Sequence, residues 1–161
     1  MERHWSLKGV KLDTITKGRI GYNLLEKELL KRDWEIYLPL LENTKIDCII
    51  LKNQALYKLQ IKLITPDKTI PVRKISHNQG EYKIHRYTAD EIDYFIGVDA
   101  DNEDIYIVPI KVIENYRSSI SINSIQEYKN NFTQLEPIIE NNNSGADDIG
   151  ESLTGNTEGT E

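Results

Sequence analysis

A chain of 161 residues is long enough for one domain with a real core. Its opening, MERHWSLKGVKLD, is charged, and no apolar run approaches the roughly 18 residues of a membrane helix, so neither a signal peptide nor a membrane partner is expected, and a soluble, cytoplasmic protein of bacterial type is. The net charge of −6 argues against a nucleic-acid partner until it is divided: Met1 to Ala89 carries 17 Lys and Arg against 10 Asp and Glu, or +7, and Asp90 to Glu161 carries 3 against 16, or −13. The first part is basic, as a phosphate-binding face must be.

In chain order, residues 1–16 read as a short basic lead, with Trp5 as its apolar anchor and Arg3, Lys8 and Lys11 available to a phosphate backbone. Ile20, Leu24, Leu25 and Leu29 lie at helical spacing and predict a helix over Lys17 to Lys31 with Thr16 as N-cap. Trp34 to Leu41 alternates weakly up to Pro39 and predicts an edge-like strand. Two apolar runs, Ile46 to Leu51 and Ala55 to Ile64, separated by Lys52-Asn53-Gln54, predict a β-hairpin. Thr65 to Lys68 reads as a turn, Ile70 to Ile75 as a strand, and His77-Asn78-Gln79-Gly80 as a polar loop. Thr88 is placed to cap a short helical turn through Asp93, Tyr94 to Val98 and Ile105 to Ile110 are strands, and Asn123 to Leu135 has helical spacing. The domain then runs over 17–139, and 140–161, built of Asn, Gly, Ser, Thr and acids, is expected to be a disordered acidic tail.

The central hairpin carries polar residues that a core does not select. Asp47 interrupts the first run, and Gln60 and Lys62 interrupt the second one residue apart, so the period of two puts Gln60 and Lys62 on one face. A carboxylate, an amide oxygen and an ammonium on neighbouring strands suit phosphodiester hydrolysis assisted by a divalent cation. Asp47, Gln60 and the carbonyl of Ile61 would supply hard oxygen ligands for Mg²⁺ or Mn²⁺, and Lys62 would stand at the reacting phosphate. Spacing alone fits the wet face of an antiparallel sheet more readily than a site. Other chemistries have less behind them. Cys48, the only cysteine, sits among isoleucines as a small hydrophobe, and His4, His77 and His85 lack metal-ligand spacing. Gly18-x-x-Gly21 lacks the Lys-Ser/Thr of a phosphate loop.

Lys17-Gly18-x-x-Gly21, Leu29-Leu30-Lys31-Arg32-x-Trp34-Glu35-Ile36-Tyr37-Leu38-Pro39, Asn43-Thr44-Lys45-Ile46-Asp47 and Tyr57-x-x-Gln60-Ile61-Lys62 come in an order that resembles the PD-(D/E)xK endonucleases associated with group I introns. Tyr87-Thr88-Ala89-Asp90-Glu91-Ile92-Asp93-Tyr94-Phe95 and Ile105-Tyr106-x-x-Pro109-Ile110 are similar to the same family's second half. The resemblance implies an α/β, restriction-endonuclease-like core with a mixed β-sheet flanked by helices. It also implies a metal-dependent endonuclease of homing type acting on double-stranded DNA, as a dimer or tetramer. Asp47, Gln60 and Lys62 fall on the catalytic positions, Gln60 being a usual variant in this branch. Lys17, Arg19, Arg73 and Lys74 are the candidate DNA contacts.

One position departs from the family. A Glu usually follows the second glycine of KGxxG, where this chain has Tyr22, and Tyr cannot hold Mg²⁺ at neutral pH. Glu26, four residues on and on the same helix face, is the candidate replacement. The alternatives to a homing enzyme are a Holliday-junction resolvase on a similar core and a DNA-binding protein that keeps the fold without cleavage.

Overall fold

The computed structural model describes residues 13–41, 44–78 and 81–136. The expected lead through residue 12, Asn43, the Gln79-Gly80 step and the acidic tail lie outside the described residues. Two strands buried on both faces organise what is described: β7 (Tyr94–Asp99) and β8 (Asp104–Pro109) read as near-continuous apolar runs because each face of the sheet is covered. Period two divides them. Ile96, Val98, Ile105 and Ile107 join one core, and Phe95, Tyr106 and Val108 join the other.

The sheet has the order β1-β2-β3-β7-β8, with β1 at Glu35–Tyr37, β2 at Cys48–Lys52 and β3 at Ala55–Leu63. It is mixed, since β3 runs parallel to β7 and every other pair in it is antiparallel. The expected hairpin is β2–β3, closed at Asn53 and Gln54, both with positive φ as a tight two-residue turn requires. On one face lies α1 (Thr14–Leu30), which packs Leu25 and Leu29 against Cys48, Ile50 and Leu59. Gly21 lets this helix approach β3, because a Cβ there would stand 3.2 Å from the Leu63 side chain. The other face is covered by Ile70 and Val72, the 87–92 turn, a one-turn helix α2 (Ile110–Ile113) and Ile120 to Ile125.

Several boundaries differ from expectation. α1 begins at Thr14, inside the expected lead, and its N-cap is Asp13: the Asp13 carboxylate accepts from the backbone N and the hydroxyl of Thr16, each at 2.8 Å. The first strand shrinks to three residues at the sheet edge. The expected Ile70 to Ile75 strand is two, β4 (Thr69–Pro71) and β5 (Arg73–Asn78), which take different partners on either side of buried Val72. His77 and Asn78 belong to β5, which pairs with an unforeseen β6 (Glu81–Arg86) as a separate two-stranded ribbon, while β4 pairs with β9 (Ser119–Ser121). Residues 88–93 form a single turn and not a helix: the carbonyl of Thr88 accepts from the backbone N of Glu91 and Ile92, and the Thr88 backbone N donates to Glu91 Oε2 at 3.3 Å.

The expected Asn123 to Leu135 helix is instead three 3₁₀ turns, Ile122–Ser124, Gln126–Tyr128 and Phe132–Leu135. Ile122 and Ile125 fill one core whereas Phe132 and Leu135 fill the other, so the segment crosses from one face of the sheet to the other. A single amphipathic helix has one apolar stripe and cannot do this. Among the described residues no helix is long and apolar enough to cross a membrane.

Candidate active site

The site is made by a strand that loses its neighbour. β2 pairs with β3 only from Cys48↔Leu59 to Lys52↔Ala55, so Gln60 to Leu63 keep β7 on one side and have no β2 partner on the other. Asp47, one residue before β2, is held at that open edge by its own backbone N, which donates to the carbonyl of Leu59 at 2.8 Å. Its Oδ2 accepts from the backbone N of Ile61 at 2.7 Å and from the Gln60 side-chain Nε2. In a strand the N–H and C=O of one residue point to the same edge, so the Ile61 carbonyl looks out beside Asp47.

Gln60 is 3 % exposed, and its Oε1 is buried with no hydrogen-bond partner. A buried polar atom left unpaired costs about 1–3 kcal/mol; Trp34 Nε1 is the other one among the described residues, but it stands in the core, whereas Gln60 lines the cavity. The two ends of a side-chain amide are placed by their hydrogen bonds. Were a cation held beside Asp47, the Gln60 amide in its other orientation would offer it the orphaned Oε1. Asp47, Gln60 and the Ile61 carbonyl thus form an all-oxygen donor set of the kind Mg²⁺ accepts, and the residues fit the ion.

Lys62 follows on the face of Gln60, opposite Gly97 in the parallel pair. Burial pushes its ammonium below the usual range, with Asp47 pulling it back up and Lys74 pushing it down. Burial raises the Asp47 carboxyl, against the Ile61 backbone N–H and the charges of Lys62 and Lys74. Lys74 is thus felt at both groups.

These side chains line a cavity of about 530 Å³ whose other wall is the first turns of α1, Ile15, Gly18, Arg19 and Tyr22, and whose rim is the apolar run Leu38 to Leu41. Tyr22 is therefore the helix residue at the site. Burial, and then the Glu26 charge, push its hydroxyl up to about 12, so it stays neutral. Arg19 sits 5.4 Å from its ring centroid. Glu26 does not line the cavity; one turn behind, it accepts a 3.3 Å hydrogen bond from the Tyr22 hydroxyl. The structure thus brings Asp47, Gln60, Ile61, Lys62 and Arg19 together and leaves Glu26 outside. Lys17 is exposed on α1 without lining the cavity, and Arg73 and Lys74 start the β5 strand.

Gly18 is a cavity residue that the sequence did not single out on its own, and a Cβ there would meet nothing within 4 Å. No packing demands this glycine, unlike Gly21. The missed signal was that a helix-interior glycine costs about 1 kcal/mol relative to Ala. Among the described residues no three His, Cys, Asp or Glu side chains converge, so Asp47 is the one carboxylate of the cavity lining.

Residues 12–137 match the model of the family described as PD-(D/E)XK endonuclease. A solved structure, described as that of the bacterial homing endonuclease I-Ssp6803I, superposes with a TM-score of 0.62 at 22 % identity, over 68 % of this chain and 77 % of that one. That likeness is one of fold, the same mixed sheet with flanking helices. No curated protein sequence matches the chain.

Proposed function

Because this chain belongs to the PD-(D/E)XK endonuclease family, we propose that it hydrolyses phosphodiester bonds of duplex DNA with a divalent cation, Mg²⁺ or Mn²⁺, held by Asp47, Gln60 and the Ile61 carbonyl. The observation that carries this is the buried, unpartnered Gln60 Oε1 beside the half-buried Asp47 carboxylate at an open strand edge. When bound, the cation supplies Lewis-acid stabilisation of charge growing on the phosphate. Asp47 fixes the donor set by capping the Ile61 N–H, and Lys62 presents its ammonium to the same phosphate or orients the attacking water. Arg19 at the helix wall, with Lys17, Arg73 and Lys74 further out, neutralises flanking phosphates. The protein acts inside the cell, and cutting both strands requires at least two copies, each with one cavity. The homing character of the structurally similar enzyme supports a homing role for this one.

The test is nicking of supercoiled plasmid, four-way junctions and intron-insertion sites in Mg²⁺, Mn²⁺ or chelator. Cutting that persists in excess chelator retires the cation. Lys62→Ala is expected to lower the rate by about 10²–10⁴ and to leave binding in Ca²⁺ largely intact.

A second reading has an observation of its own: the helix position that lines the cavity is Tyr22, and no carboxylate stands there. On that reading the chain binds DNA without cutting. Wild type that is inert, with activity gained by Tyr22→Glu, establishes it. Cleavage by wild type rejects it.

A further inference from the structure

The β5–β6 ribbon belongs to neither core-forming sheet, and apart from Lys74, whose charge is felt at Asp47 and Lys62, the cleavage cavity gives it no role. Its register pairs Arg73 with Arg86, Lys74 with His85, Ile75 with Ile84 and Ser76 with Lys83. Four permanent cations therefore stand on two short strands whose only acid is Glu81, and Lys83 and Arg86 are exposed. None of the four makes an ion pair with a described residue, although many lysines elsewhere do. Ile75, Tyr82 and Ile84 are 50, 70 and 58 % exposed, so the ribbon also shows apolar surface to solvent. An isolated two-stranded hairpin is marginal in water, and one whose two isoleucines are each at least half exposed gains little stability from its own packing.

The base of the ribbon is tied to the cleavage site. His85 Nε2 and Glu91 Oε2 lie 3.1 Å apart, and the other oxygen of Glu91 accepts from Lys45, two residues before Asp47. The ribbon consequently rises beside the loop that carries the cavity carboxylate. Resting on the reading of this chain as a DNA endonuclease, we propose that the β5–β6 ribbon enters the major groove of the duplex next to the scissile phosphate. There Arg73, Lys74, Lys83 and Arg86 engage the flanking phosphates, and Ile75 and Ile84 are set against base edges. Size selects the groove: two strands about 5 Å apart, with their side chains, fit a groove about 12 Å wide and not one of about 6 Å. Charge selects the partner, since four unpaired cations match two lines of phosphates and oppose a second basic surface. Apolar contact with thymine methyls gives the exposed isoleucines a use in sequence preference.

The test measures affinity for a duplex in Ca²⁺ across a salt series for the full chain, Lys83→Ala/Arg86→Ala, and a charge-matched control, Lys111→Ala/Arg117→Ala. The ribbon variant is expected to bind about 10–100-fold more weakly at about 0.1 M salt, with the slope of log affinity on log salt reduced by about 2. The control keeps the wild-type slope. An unchanged slope in the ribbon variant, or an equal loss in the control, overturns the ribbon proposal and leaves the nuclease reading standing. Wild type that binds no duplex at all overturns both. Ile75→Ser/Ile84→Ser supplies a second measurement, with altered sequence preference and an unchanged sedimentation mass expected. If that variant instead falls to a smaller oligomer at unchanged sequence preference, the surface belongs to a second copy of the chain and the proposal is wrong.

Discussion

Gln60 and Asp99 are the two buried polar or charged residues among the described core, and they have been treated in opposite ways. Asp99, at the end of β7, accepts from Lys68 Nζ and Asn102 Nδ2, each at 2.9 Å, and from the backbone N of Asp101 and Asn102. These donors outweigh burial and hold its carboxyl below the ordinary value. Gln60 and its neighbour Asp47 have the reverse balance: one amide oxygen has no partner, and burial raises the carboxyl. A polar group that the fold uses is satisfied by the fold. Gln60, left short of partners at the wall of a cavity, is open to something the chain does not supply.

The sharpest way to break this comparison is to neutralise each carboxylate. Asp47→Asn is expected to cut cleavage by more than the roughly 10–100-fold that losing an outer-shell partner costs, because it removes the only carboxylate of the cavity lining among the described residues. Thermal stability at neutral pH should hold or rise. A folded carboxyl raised above its unfolded value favours folding below the unfolded value, and that contribution is lost as pH rises through the folded one. A variant that loses both activity and stability would make Asp47 a structural residue.

Asp99→Ala should do the opposite, costing about 2–3 kcal/mol in denaturant unfolding and leaving the cleavage rate per folded molecule unchanged. Its carboxyl is lowered in the folded state, so its contribution is present above the unfolded value near about 4 and is lost as pH falls through the folded value. Acid unfolding of wild type should therefore be steeper than that of Asp99→Asn in that window. Equal slopes would show that Asp99 is not held as the hydrogen bonds indicate.

The two helix glycines sharpen the same contrast at a smaller scale. Gly18→Ala is expected to raise stability by roughly 0.5–1 kcal/mol and to lower cleavage, since its methyl would occupy cavity space that no side chain fills. Gly21→Ala forfeits that gain against the Leu63 side chain. Unimpaired cleavage by Gly18→Ala would mean that substrate does not approach this helix. The smallest effect is assigned to Glu26→Gln, a few tenths of a kcal/mol with cleavage intact, because its contact is a long hydrogen bond outside the cavity. A large loss of rate would return Glu26 to the site.

From spacing within single elements the sequence establishes the hairpin, the α1 stripe, the β7 and β8 strands and the shared face of Gln60 and Lys62; that β7 and β8 are buried on both faces is decided by what packs on the sheet. The pattern misses β6 although Tyr82 and Ile84 alternate with polar neighbours, because two apolar residues that stay exposed make a weak strand signal, and no pattern locates the crossing of residues 122–135 between two cores. Which helix residues line the cavity that Asp47 faces is set by tertiary structure. Tyr22 and Glu26 share a helix face, but α1 lies so close to β3 at Gly21 that only its first turns reach the open edge where β2 leaves β3. That choice is set by where two elements diverge in space, a relation between segments far apart in the chain that no local period records.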